Sequence, residues 1–318
     1  MRAILVTSLA AAFVAGCAAT ATTPTGLSAV PSQVPPAIEQ QLQQIGHVID
    51  PPKTAALYAP LQQHEPYPGV RVTRGERYGP DPERNQLDVF SPGMTPARPR
   101  PVLVFVHGGG FTAGARRTGS SPFYDNIALW AVHHGMIGVT TTYRLAPRHP
   151  WPAAQEDLAA TVAWVRANIA RLGGDPDRIY LMGHSAGGAH VALYVGHPQF
   201  HAEGNIAGAI VVSGLFDPAS ATPSPGLRAY FGGDASVYAS RSALPGLAAS
   251  HVPLLIAFSE LDPPDFPKQA EQAHAALCRA GHCGRLLELR GHSHMSEVYS
   301  INTADTALTD AIRDFIRP

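Results

Sequence analysis

From residue 70 onward the chain alternates short apolar runs with stretches in which apolar residues recur every three or four positions. The runs at 70–78, 86–90, 101–106, 136–143, 178–182, 207–213, 253–259 and 286–289 predict eight strands. The inner ones are continuous rather than alternating: Val102, Leu103, Val104, Phe105 and Val106 are all apolar, as expected of a parallel strand covered on both faces. Helical stretches fall between them at 121–134, 154–172, 186–195, 268–280 and 303–316. In the second of these, Leu158, Val162, Val165, Ile169 and Leu172 form a single apolar stripe. Too few residues separate the first two strands for a crossover helix, so they are expected to pair antiparallel. The rest of the alternation predicts an α/β fold: an eight-stranded, mostly parallel, doubly wound sheet flanked by helices, with ligands at the C-terminal strand ends.

Composition narrows the function classes. The 318 residues are 45% hydrophobic and 15% charged, and 23 Lys+Arg face 24 Asp+Glu. A core-forming globular domain fits these values and a disordered chain does not. A net charge of -1 lacks the cationic excess that phosphate neutralisation needs, so nucleic acid is not an expected partner. The 30 Gly and 30 Pro follow no Gly-X-Y period, which excludes collagen.

The N-terminal stretch differs from the remainder. Arg2 precedes an apolar segment at 4–14, too short to span a bilayer and suited to a signal peptide. It ends in Val14-Ala15-Gly16-Cys17, which resembles a bacterial lipobox. That resemblance implies a signal peptide over 1–16, lipidation of Cys17 and membrane attachment in the bacterial cell envelope; Ala18, where inner-membrane lipoproteins commonly carry Asp, favours the outer membrane. An ordinary secretory peptide is the alternative. Residues 17–36, rich in Thr, Ser, Pro and Ala, predict a tether, 37–69 an N-terminal extension or small helical cap centred on 38–61, and 70–318 the main domain. Cys278 and Cys283 flank a turn at Gly281, and an oxidising compartment allows them to pair; two free thiols are the alternative.

Two motifs lie directly after strands. Gly183-His184-Ser185-Ala186-Gly187-Gly188 follows the 178–182 strand and opens a helix, the context that a G-x-S-x-G nucleophile elbow requires. Ser185 sits in a strained turn, so residues two positions to either side must lack side chains; Gly183 and Gly187 meet that demand. The second motif, His107-Gly108-Gly109-Gly110-Phe111, follows the 101–106 strand, and its three glycines leave backbone N–H groups accessible to an oxyanion.

With these motifs the sequence resembles the α/β-hydrolase superfamily and, within it, the HGGG-type esterases related to hormone-sensitive lipase. Tyr143-Arg144-Leu145-Ala146-Pro147 and Pro152-Ala153-Ala154-Gln155-Glu156-Asp157 extend the likeness, which covers about residue 70 to the C-terminus. It implies a carboxylic ester hydrolase with a small-molecule ester substrate and no cofactor. One departure matters: many bacterial members of the hormone-sensitive-lipase branch have Asp before the nucleophile, and here His184 stands there. That is more similar to the feruloyl-esterase-like and kynurenine-formamidase-like branches, so an aryl formamide stays open as substrate. The family's chain order of Ser, acid, His implies Asp262 as acid, with Glu260 and Asp265 as alternatives, and its Gly-x-x-His turn implies His294 as base over His292. Carried over position by position, the oxyanion donors are the N–H groups of Gly109, Gly110 and Ala186. A His-x-His pair without a third ligand nearby is a weak zinc signal, and no metal is assigned. His133 and His134 are expected at a helix end on the surface.

The substrate pocket is less legible. Phe111, Trp151, Phe216, Tyr230 and Phe231 are candidates for an apolar lining or for core packing, and 215–247 is a second candidate for a cover over the site. The rival function is a non-catalytic binding lipoprotein on a hydrolase scaffold. The oligomeric state and the natural substrate have no sequence signature.

Overall fold

A computed structural model describes residues 26–201 and 205–316. The expected signal peptide, Cys17 and the first part of the expected tether lie outside the described residues. In chain order the elements are β1 (Leu27–Val30), α1 (Pro36–Ile45), α2 (Pro51–Tyr58), β2 (Val70–Arg77), β3 (Gln86–Pro92), β4 (Arg100–Val106), α3 (Asp125–His133), β5 (Ile137–Thr141) and α4 (Ala153–Asn168). After these come β6 (Gly174–His184), α5 (Ala186–Gly196), β7 (Gly208–Val212), α6 (Pro225–Phe231), α7 (Leu244–Ala249), β8 (Leu254–Leu261), α8 (Asp265–Arg279), β9 (Arg285–Ser293), α9 (Ser296–Tyr299) and α10 (Ala307–Ile316).

All eight expected strands are present, and the sheet contains a ninth. Its order is β1-β9-β8-β7-β6-β4-β5-β3-β2. The first two expected strands, β2 and β3, do pair antiparallel, and β3 also runs antiparallel to β5; every other pairing is parallel. The extra strand corrects the reading of 17–36 as tether throughout. Leu27 to Val30 pair with Leu286 to Leu289 at the sheet edge. Its two middle residues are exposed and its outer two half-buried, so no apolar period marks it in a Ser- and Pro-rich stretch.

Each face of the sheet has its own core. Val102, Val104 and Val106 of β4 join one cluster of buried side chains, and Leu103 and Phe105 join the other. The continuous apolar run therefore does what its pattern implies, with alternate residues serving opposite faces. α5, which starts at the serine turn, is buried at all eleven positions.

Residues 37–69 fold mainly as two helices, α1 packed on β9 and α2 on α9. The buried Gln62 amide donates to the carbonyls of Tyr299 and Ile301, at 2.8 and 2.9 Å, and the His47 ring lies 2.9 Å from the Asp262 carbonyl oxygen. The two later motifs brace the glycine loop from behind. Tyr143 donates to the His107 carbonyl at 2.8 Å and stacks on its ring, while Arg144 donates from its backbone N–H and its Nε to Asp157. His133 and His134 lie exposed at the end of α3, and Cys278 and Cys283 are joined by a disulfide.

A buried carboxylate fixes the antiparallel edge. Asp88 on β3 is fully buried and meets Arg74 of β2 at 3.0 Å and Arg116, just beyond the glycine loop, at 2.8 Å. Removing one partner of a buried ion pair leaves the other charge desolvated and uncompensated. Asp88→Ala is expected to lower unfolding free energy by about 3–5 kcal/mol, measured by urea denaturation.

Candidate active site

The serine turn sits at the C-terminal end of β6, a central strand, where two neighbouring parallel strands also end. Ser185 has φ 56° and ψ −123°, a strained conformation for a residue with a side chain. The turn closes because its flanking positions are bare: a Cβ on Gly183 would lie 2.2 Å from the Gly187 carbonyl oxygen, and one on Gly187 would lie 2.1 Å from that of Val106. The expectation for these two glycines is therefore met. Ala186 is the first residue of α5, so its N–H has no acceptor within the helix and points with the dipole toward the site.

Asp262 and His294 are brought together from the ends of β8 and β9. Asp262 Oδ1 lies 2.7 Å from His294 Nδ1, and both residues are buried. The second oxygen of Asp262 accepts from the Ser213 hydroxyl at 2.6 Å and from the Ser259 N–H at 2.7 Å. Three donors thus converge on one carboxylate, which offsets the cost of burying its charge. With Nδ1 donating to Asp262, His294 Nε2 is a base with a free lone pair, and it has no hydrogen-bond partner among the described residues. Ser185 and His294 line the same cavity, which also takes in Gly109, Gly110 and Ala186.

The alternatives to these residues are occupied elsewhere. Glu260 accepts from the Gly291 N–H and pairs with Arg290. Asp265 accepts from the N–H and the hydroxyl of Thr222, at 2.7 and 2.8 Å, instead of capping its own helix. His292 is buried, not on the surface, between Asp305 at 3.1 Å and Ser296 at 3.1 Å. Its two ring nitrogens face these groups, and it is not among the residues that gather closely enough for a cation. His184, His294 and Glu297 are the one group among the described residues whose ligand atoms gather closely enough for a cation. However, His184 Nε2 is committed to the His294 carbonyl oxygen at 2.7 Å, so the cluster reads as a hydrogen-bond network.

The cavity measures about 900 Å³ and is largely apolar. Of the five aromatic candidates only Phe111 lines it. Tyr230 stacks on Phe111 at 5.2 Å between ring centres and Phe231 meets it edge-on at 5.5 Å; Trp151 packs on Phe231, and Phe216 is buried. Ile49 and Pro51 line it from the 38–61 stretch and Leu215 from the 215–247 stretch, while Tyr124, Phe266, Met295 and Tyr299 come from places that the sequence did not mark. Phe266 also lies over the His294 ring, at 4.4 Å between centres. Asp265, held by Thr222, is the one carboxylate side chain among the lining residues.

Sequence reasoning also missed a second acidic group. Glu297 is fully buried, with Oε2 accepting from the Ser259 hydroxyl at 2.6 Å and Oε1 3.1 Å from His184 Nε2. Burial, and then the neighbouring Asp262 charge, push its carboxyl well above the usual carboxylate range. Burial likewise holds His184 at about 4, so its ring is neutral at physiological pH. In the sequence Glu297 is one polar residue in a short segment with no periodicity; its only signal is its place three residues after His294.

Comparison with known proteins finds esterases. A model described as the carboxylesterase family matches residues 86–231, a little under half of the chain. Esterase LipQ of Mycobacterium tuberculosis is 42% identical over 116 residues, 36% of this chain and 26% of that protein. Para-nitrobenzyl esterase of Bacillus subtilis is 39% identical over 139 residues, 40% of this chain and 27% of that one. The matched stretches thus span well under half the length of these relatives. Among solved structures, a hyperthermophilic esterase from Pyrobaculum calidifontis superposes with a TM-score of 0.67 at 21% identity, covering 89% of this chain and 96% of the other. Esterase B from Lactobacillus rhamnosis gives 0.67 at 17% identity over 88% and 93%. The chain has the α/β-hydrolase fold that these esterases share.

Proposed function

We propose that the protein is a serine hydrolase of carboxylic esters, with Ser185 as nucleophile, His294 as base and Asp262 as the acid that orients it. The observation that carries this reading is the His294 ring: one nitrogen is fixed by Asp262, and the other is free in the cavity that holds Ser185. A serine hydroxyl attacks an ester only when a base removes its proton, and the paired carboxylate stabilises the imidazolium that results. Ser185 Oγ bonds to the ester carbon as its proton moves to His294 Nε2. The N–H groups of Gly109, Gly110 and Ala186 then receive the oxyanion, each such donor contributing about 3 kcal/mol. His294 returns the proton to the departing alcohol, leaving an acyl-serine. Water, deprotonated by the same nitrogen, attacks that acyl group; the carboxylic acid is released and Ser185 regains its hydrogen.

The cavity supports neutral esters with compact apolar groups. Its walls offer no Lys or Arg to a substrate carboxylate, and Asp265 at the rim disfavours one. The matched esterases named above lend the ester class their support. Aryl formamides would use the same triad and remain the competing substrate. We further propose that Cys17 carries a lipid that holds the enzyme in the bacterial envelope; the lipobox-like Val14-Ala15-Gly16-Cys17 supports this. No helix among the described residues is long and apolar enough to cross a membrane.

Three measurements test these readings. On p-nitrophenyl butyrate, Ser185→Ala is expected to lose essentially all turnover and Asp262→Asn to lose about 10⁴-fold in kcat, because an amide favours the wrong imidazole tautomer. Activity of Ser185→Ala equal to the parent would defeat the assignment of Ser185 as nucleophile, and no turnover in the parent would favour a binding protein. In a substrate panel, kcat/KM is expected to rise from acetate to butyrate by up to about fourfold per methylene, while a succinate half-ester is poorly used. A strong preference for an aryl formamide would replace the ester assignment. Cys17→Ala is expected to move the protein from the membrane fraction to the soluble fraction and to abolish palmitate labelling.

A further inference from the structure

His184 stands before the proposed nucleophile, where many bacterial members of the hormone-sensitive-lipase branch have Asp, and the structure gives it a distinct task. Its Nε2 lies 2.7 Å from the carbonyl oxygen of His294, so the turn that carries Ser185 is tied directly to the backbone of the proposed base. The same nitrogen lies 3.1 Å from Glu297 Oε1, and the His184 and His294 rings are 4.7 Å apart. Glu297 reaches the proposed acid as well: the Ser259 hydroxyl donates to Glu297 Oε2 at 2.6 Å, and the Ser259 N–H donates to Asp262 at 2.7 Å. All of these side chains are buried.

We propose that Glu297 is a positioning residue for the proposed base: with His184 it fixes the His294 backbone against the nucleophile turn, and through Ser259 it fixes Asp262. This rests on the Ser185, His294 and Asp262 reading above and adds a residue to it that touches no substrate. Two carboxyl groups share this dry space, and Asp262 already has three donors, whereas Glu297 accepts from the Ser259 hydroxyl at Oε2 and its Oε1 has no hydrogen-bond partner among the described residues. Glu297 therefore keeps its proton, as burial and the Asp262 charge require. The titratable groups facing it are Asp262 from the loop after β8, His184 from the end of β6 and His294 from the end of β9. Ionising Glu297 would place a second negative charge beside them, pull on the His184 N–H and loosen the hold on the His294 carbonyl.

The sign of the pH effect follows. The folded protein keeps a proton that the unfolded chain releases above the ordinary carboxyl value of 4.5, so stability from this group is fully present below that value and declines as pH rises toward the raised folded value. Glutamine has the shape of the protonated acid and cannot ionise.

Parent, Glu297→Gln, Glu297→Ala and Ser185→Ala full-length proteins are compared on p-nitrophenyl butyrate from pH 6 to 9.5, with thermal melts alongside. Glu297→Ala is expected to lower kcat about 10–100-fold with KM within about twofold, as for a displaced catalytic group. Glu297→Gln is expected to restore kcat to within about threefold of the parent and to lessen the alkaline fall in both kcat and melting temperature. Parent-like kcat in Glu297→Ala, with Ser185→Ala inactive, overturns the positioning role while leaving the triad intact. If Glu297→Ala does not fold, the Gln variant decides: a kcat–pH profile superimposable on the parent's overturns the proposal, and a flattened alkaline limb supports it. Parent-like activity in Ser185→Ala would remove the underlying triad reading instead.

Discussion

A single buried negative charge organises this molecule's site. Asp262 is almost entirely withdrawn from water, where an isolated carboxylate would be far too costly to ionise. It is stabilised by the Ser213 hydroxyl, the Ser259 N–H and the His294 ring, donated from the ends of β7, β8 and β9. Ser213 reaches it from a left-handed backbone conformation, with φ 44°. Three adjacent strands must therefore end at the same level, in register, for the charge to be tolerated. The imidazole orientation that general-base chemistry needs is a by-product of satisfying that carboxylate, so fold stability and site geometry rest on the same bonds.

Much of this was legible in the residues. Strands covered on both faces declare themselves by unbroken apolar runs, and β4 and β6 were found for that reason. Gly183 and Gly187 were legible because the turn around Ser185 admits no Cβ at those positions, a steric rule that acts within five residues. Asp262 and His294 needed more than local chemistry. Glu260, Asp265 and His292 carry the same functional groups nearby, and the resemblance chose among them; the geometry then gave each alternative its own partner.

What escaped the sequence is what depends on neighbours distant along the chain. Leu27 to Val30 form a strand because β9 offers an unpaired edge, not because their own pattern demands one. Trp151, Tyr230 and Phe231 look like pocket residues in a sequence, yet they pack behind Phe111, while Ile49, Tyr299 and Phe266 reach the cavity from three separate segments. Glu297 is the extreme case: its chemistry is set by desolvation and by Asp262, thirty-five positions earlier, and no periodicity reports either.

α5 carries a different implication. A helix that is enclosed by protein along its whole length cannot tilt or slide without opening voids on every side, so the serine at its start is mounted on the least deformable part of the molecule. The cavity walls, by contrast, are drawn in part from residues 49–51, 215–226 and 263–266, well apart along the chain. The cavity can therefore be reshaped by exchanging the segments at its walls, leaving the Ser185 hydroxyl where it stands.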